Sequence, residues 1–292
     1  MKINASYIAV VITAIFALIE AFLSTSLGNV PYILLILGSV FPGIPHGALD
    51  HKLSTNSMTK TSDKIQFILG YLGIMLGVLL LWWWMPDLGV ILFILYSAWH
   101  FGETDTRSMK IFTTSLAWVF GLSLLVFMLS THAEEYNHII TQIGSTRITI
   151  GVSVANWLSG FSFVGLLLPA IHLKRMNWPI WLSIVLVLVL SIQLPLVMAF
   201  ALYFIGLHSV KGWMDIHKGL KMGFINMIRS AMPFTLGAFA TFLLILIAWN
   251  NGLLVLDNWV SVFFAFLAAI SLPHIWYMHS FYKRQSAFSF NH

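Results

Sequence analysis

Residues 65–103 read IQFILGYLGIMLGVLLLWWWMPDLGVILFILYSAWHFGE, and this stretch decides the fold. From Ile65 to Met85 no side chain is charged. About 20 mainly apolar residues are what a helix needs to cross about 30 Å of hydrocarbon. Met85-Pro86-Asp87 interrupts the run. A second apolar run starts at Leu88 and ends on Trp99-His100-Phe101-Gly102. No water reaches the bilayer core, so backbone N–H and C=O groups must pair within the segment, and each run is read as a helix.

The pattern recurs along the chain. Helices are expected near 5–25, 31–48, 65–85, 88–102, 112–131, 150–172, 178–194, 196–213, 231–250 and 259–282. Pro195 breaks or kinks the chain between the seventh and eighth. Segment 178–213 therefore reads as two short spans or one kinked re-entrant pair, giving eight to ten spans. The first 25 residues have the look of a signal peptide, but similar segments follow throughout, so a first transmembrane helix is the better reading. The expected fold is an all-α polytopic helical bundle, residues 1–292 forming a single integral membrane domain.

Composition agrees. The chain of 292 residues is 59% hydrophobic and 9% charged, with mean hydropathy +0.89. A soluble domain carries roughly 25% charged residues. The absence of cysteine excludes disulfides, thiolate nucleophiles and zinc–thiolate or iron–sulfur sites. The net charge of +5 lies in short loops, which points to membrane topology and not to nucleic acid. With the N-terminus placed in the cytoplasm, that side holds Lys2, Lys52, Lys60, Lys64, Arg107, Lys110, Lys174, Arg175, Lys211, Lys218, Lys221, Arg229, Lys283 and Arg284. Only Arg147 falls outside. This bias predicts both termini inside, in the cell's inner (plasma) membrane. Trp82, Trp83, Trp84, Trp178 and Trp181 read as interfacial belt residues.

Four histidines fall near the cytoplasmic ends of four different helices: His46 in GIPHGALDH, His100 in YSAWHFGE, His208 in IGLHSVKGW and His274 in SLPHIWYMH. An ionisable ring at membrane depth is a functional-site hypothesis by default. Four at one level point to a shared partner. Neutral imidazole is the commonest metal ligand, although it suits zinc, copper, iron and nickel alike. Asp50 lies four residues after His46 and Glu103 three after His100, each on its histidine's helix face, where a carboxylate can orient a ligating ring. Tyr96, four residues before His100, is expected to line the same pocket. His51 and His217 are reserve ligands. His172 lies on the same side, and His279 reads as interfacial. His132 and His138, in the longest outer loop, and terminal His292 are read as solvated.

Other templates find little support. There is no GxSxG and no phosphate-cradling GxxxxGK[ST]. His46-x4-His51 has the spacing of the first histidine box of membrane di-iron desaturases, but HxxHH boxes are missing. The Met and Phe runs of 231–250 and 259–282 read as packing and are compatible with an apolar tunnel open to lipid.

PHGALDH, WHFGE, LHS and LPH, in this order along a multi-span chain, resemble the Brp/Blh family of bacterial and archaeal β-carotene 15,15′-dioxygenases, over about residues 43–281. The resemblance implies Fe(II)- and O2-dependent cleavage of the central double bond of β-carotene, giving two retinal molecules. It implies His46, His100 and His208 as iron ligands. The family's third motif continues to a histidine four residues on, where this chain has Gly212. His274 is the substitute, with His51 and His217 behind it. The implied partners are β-carotene or a related carotenoid, O2 and the lipid bilayer.

Two other classes compete. A transporter for metal ions or protons would need polar groups along both halves of its helices, and the outer halves have few. A non-catalytic retinal-binding or opsin-accessory protein would carry a lysine in mid-helix for covalent attachment, and the lysines here lie in loops or at helix ends.

Overall fold

The computed structural model describes residues 5–23, 27–54, 60–145, 147–252 and 259–289, so Lys2 and His292 lie outside the described residues. The described residues are 87% helical and include no strand. In chain order the helices are α1 (Ala5–Leu23), α2 (Val30–Gly38), α3 (Ile44–Gly47), α4 (Asp50–Leu53), α5 (Thr61–Trp84), α6 (Pro86–Ser108) and α7 (Thr114–Thr131). Then come α8 (Ala133–Gln142), α9 (Val152–Leu167), α10 (Trp178–Leu190), α11 (Leu196–Tyr203), α12 (Val210–Leu220), α13 (Phe224–Asn250) and α14 (Trp259–Ser289). π-helical turns at Ser39–Gly43 and Phe204–Ser209 carry the chain from α2 into α3 and from α11 into α12.

Among the described residues, seven segments are long and apolar enough to cross a membrane: Val30–Leu53, Thr61–Trp84, Thr114–Thr131, Val152–His172, Leu196–Leu220, Phe224–Asn250 and Trp259–Gln285. Ser6–Phe22 and Trp178–Gln193 are apolar but shorter. α6 is the more polar helix, because His100, Glu103, Asp105 and Arg107 crowd its C-terminal half. This is a multi-pass membrane protein. Large side chains on the outer faces are exposed accordingly, such as Leu69, Leu76, Phe161 and Leu244.

α8 falls where a polar loop was expected. Its apolar residues Tyr136 and Ile140 are buried, four apart, while Glu134 and His138 face outward. His132 corrects the solvated reading outright. The ring is buried, with Nδ1 2.7 Å from Met128 O and Nε2 2.9 Å from Leu194 O and 3.1 Å from Ser191 O. The cause is Pro195, which lacks the N–H that would have bonded Ser191 O in a continued helix. His132 faces the carbonyls at this break, and Glu135 accepts the Leu196 N–H at 2.8 Å. The break splits 178–213 into α10 and α11, and the second helix then runs through its π turn to Leu220.

The chain divides into two compact units. The first comprises Met1–Gly43, Ala98–His138 and Thr149–Ile216. All eight residues of α11 are buried at its centre. The C-terminal half of α6 crosses α7 backbone to backbone: a Cβ on Gly102 would stand 1.8 Å from Ala117 O, and one on Gly121 1.8 Å from Ala98 O. This is the small-residue contact that lets membrane helices approach closely. The two π turns also pack together. Ile205 fills the space that a side chain at Gly38 would take, and Phe204 lies against Gly43.

The second unit comprises Ile44–Ser97, Ile139–Ile148 and His217–His292. α14 packs against α4, α5 and α13. Pro273 lies inside α14 and cannot bond the carbonyl of Ala269. Two tyrosine hydroxyls approach the neighbouring carbonyls: Tyr96 donates to Ala268 O at 2.7 Å, and the Tyr71 hydroxyl stands 3.2 Å from Ile270 O.

Candidate functional site

In the second unit, His46 follows the helix irregularity that ends at Gly43, and His274 follows Pro273. Both imidazoles are buried. Their ring centres are 4.8 Å apart and their planes stand at 87°. Gly47 lies against the His274 ring, where an added Cβ would meet Nδ1 at 3.4 Å. The Nδ1–H of His274 donates to Asp50 Oδ1 at 2.8 Å, and the Tyr71 hydroxyl stands 3.1 Å from Asp50 Oδ2. Tyr71 in turn stacks parallel to Tyr277, with Phe67 against both.

Asp50 was expected to serve the histidine one turn before it on its own segment. Instead it accepts from His274, 224 positions along the chain. The chemistry is the expected one: a carboxylate holding Nδ1–H fixes the tautomer and leaves Nε2 with the lone pair. Asp50 is only 2% exposed, and among the described residues its side-chain partners are a phenol and an imidazole. A buried carboxylate needs compensating charge. A cation bound on the far side of His274 would supply it.

The first unit holds the other pair. His100, on α6, and His208, in the π turn Phe204–Ser209, are buried, with ring centres 4.8 Å apart and planes at 76°. Phe101 meets His208 edge to face and Phe204 stacks on it. The Ser209 hydroxyl donates to Phe204 O at 2.8 Å, a carbonyl that a π turn leaves out of the ordinary helical ladder. The carboxylates on this side are paired with cations. Glu103 accepts from Arg107 at 2.8 Å, and Asp105 accepts from Lys211 at 2.6 Å.

The donor sets fit a metal. With a metal–nitrogen bond of about 2.0–2.1 Å, a ring centre lies about 3.2 Å from the ion, and two ligands at about 90–110° have centres about 4.5–5.2 Å apart. Both pairs meet that separation. Among the described residues no group of three or more His, Cys, Asp or Glu side chains is gathered as a metal cage, and each histidine pair lies within one unit.

The remaining expected residues fall elsewhere. His51 donates from Nδ1 to Ala48 O at 3.0 Å and stacks on Phe234. His217 is exposed, with Nδ1 2.6 Å from Met222 O. Tyr96 braces α14 through Ala268. Gly212 is buried on α12. Sequence reasoning passed over Tyr71, Asp105 and Tyr203, and it treated Lys211 as a helix-end residue. The signal for Asp105 was present, since it lies two residues beyond Glu103 on a helix with no charged residue from Leu88 to Trp99.

The fold and donor set define a multi-pass helical membrane protein with paired buried histidines. Comparison with known proteins gives the rest. A family model described as beta-carotene 15,15′-dioxygenase matches residues 37–282, and the chain belongs to this family of dioxygenases. It is similar to a beta-carotene 15,15′-dioxygenase from uncultured marine bacterium 66A03, with 25% identity over 254 residues, covering 81% of this chain and 88% of the relative. No solved structure matches.

Proposed function

We propose that this chain cleaves the central double bond of β-carotene with O2 in the bilayer, yielding two retinal molecules. We also propose that the histidine pairs, His46 with His274 and His100 with His208, supply the ligands for the Fe(II) that the reaction uses. The buried Tyr71–Asp50–His274 chain carries this reading, because it is the orienting arrangement a ligating histidine requires. The balance is simple. The central C=C bond breaks, each carbon takes one oxygen atom of O2, and no external reductant is consumed. Bound iron would activate O2 toward the closed-shell polyene.

The protein's own part is binding and orientation. Imidazole ligands are neutral, so an ion held by them keeps its charge, and Asp50 lies one ring away to offset it. Phe101, Phe204 and Tyr203 surround His208 with apolar surface and keep water from its ring. β-Carotene is wholly apolar and dissolves in the bilayer, so a membrane-embedded enzyme takes it without extraction into water. The charge sorting of the loops supports cytoplasmic termini in the inner membrane.

The test is expression in a β-carotene-accumulating bacterial strain, followed by chromatography of the pigments and iron analysis of the purified protein. The expected result is loss of β-carotene, appearance of retinal, and iron in the purified protein that falls on substitution in either histidine pair. Intact β-carotene with a well-folded protein would sink the activity. Shorter or longer apocarotenals would move the cleaved bond. Iron surviving His46→Ala or His100→Ala would remove that residue from the ligand set.

A further inference from the structure

Three side chains outside the proposed ligand set form a closed group in the first unit. Asp105 is fully buried. Its Oδ2 accepts from the Tyr203 hydroxyl at 2.8 Å, and its Oδ1 accepts from Lys211 Nζ at 2.6 Å. The two donors are placed with purpose. Tyr203 is the last residue of α11, directly before the π turn Phe204–Ser209, and Lys211 is the second residue of α12, just after it. One carboxylate thus grips both flanks of the turn that carries His208. It reaches them from α6, five residues after His100.

We propose that Asp105 is a positioning residue, which clamps the π turn through Tyr203 and Lys211 and so sets the position of His208 relative to His100. The need is physical. A π turn is rare and occurs as a local insertion in a helix, so its setting depends on what packs and bonds around it. Hydrogen bonds on both sides remove that freedom. A buried ion pair is weak evidence for stability but well suited to fixing register. The same helix then places one imidazole directly and the other through its carboxylate. The inference rests on reading His208 as a metal ligand.

The test uses the full-length protein in detergent. Tyr203→Phe keeps the ring volume and the Asp105–Lys211 pair while removing one hydrogen bond. Asp105→Asn removes the charge. In the metal-free protein, hydrogen exchange of amides 204–209 should quicken about tenfold or more in Tyr203→Phe, with α9 unchanged, and Fe(II) titration should show affinity about 10–100-fold weaker. Wild-type exchange and wild-type iron affinity in Tyr203→Phe would overturn the clamp. Faster exchange in a protein whose wild type binds no Fe(II) would uphold the clamp and sink the metal reading instead. If Asp105→Asn fails to fold, Tyr203→Phe decides alone.

Discussion

Asp50 shows how much one buried carboxylate organises. It faces a phenol on one oxygen and an imidazole N–H on the other, and the ring it holds is 4.8 Å from a second buried ring. Asp50→Asn keeps the size and an acceptor for His274 while removing the charge. Fe(II) affinity should fall about 10–100-fold with the fold retained, as metal titration of the purified protein would show. Unchanged affinity would mean that Asp50 orients nothing that binds metal. At this scale the sequence was half legible. A carboxylate one turn from His46 announced an orienting partner, because i and i+4 residues share a helix face. It gave no sign that the ring being oriented belongs to α14, because hydrogen bonds across 224 positions depend on packing. His132 failed for a related reason. Its neighbours are polar, so it reads as a loop residue, yet the carbonyls it faces come from a break made by Pro195, 63 positions later (195 − 132).

The helices divide into those that touch backbone to backbone and those that face lipid. α6 and α7 meet at Gly102 and Gly121, each with a carbonyl 1.8 Å from where a Cβ would stand. Gly102→Val must push the helices apart and displace His100, two residues away. The expected loss of stability is about 1–3 kcal/mol or more, as for overpacking in a core, with iron content falling alongside. Gly73 on α5 has nothing within 4 Å of its Cβ position, so Gly73→Ala should lower neither. Thermal unfolding of the two variants in detergent compares them directly, and equal behaviour would refute the close crossing. In the sequence the two are alike, each a glycine inside a helical segment. Only the crossing separates the one that is required from the one that is not.

On the scale of the whole molecule, charge sorting makes an orientation testable without prior engineering, because the chain has no cysteine to remove. Single-cysteine variants Lys60→Cys and Arg147→Cys should label from opposite sides. With cytoplasmic termini, residue 147 reacts with a membrane-impermeant reagent in intact spheroplasts, and residue 60 reacts only after lysis. The reverse pattern would invert the topology. The sequence by itself determined that this is an all-helical membrane protein, where its apolar helices run, and which four histidines stand out. Those properties follow from hydropathy, helix length and motif, all local along the chain. The tertiary structure alone decided that His46 pairs with His274 and His100 with His208, and that Asp50 serves α14. It also decided that Asp105 holds both ends of a π turn. These arrangements arise where helices far apart in sequence pack closely enough for buried polar groups to find one another, and in an apolar medium such groups must have partners.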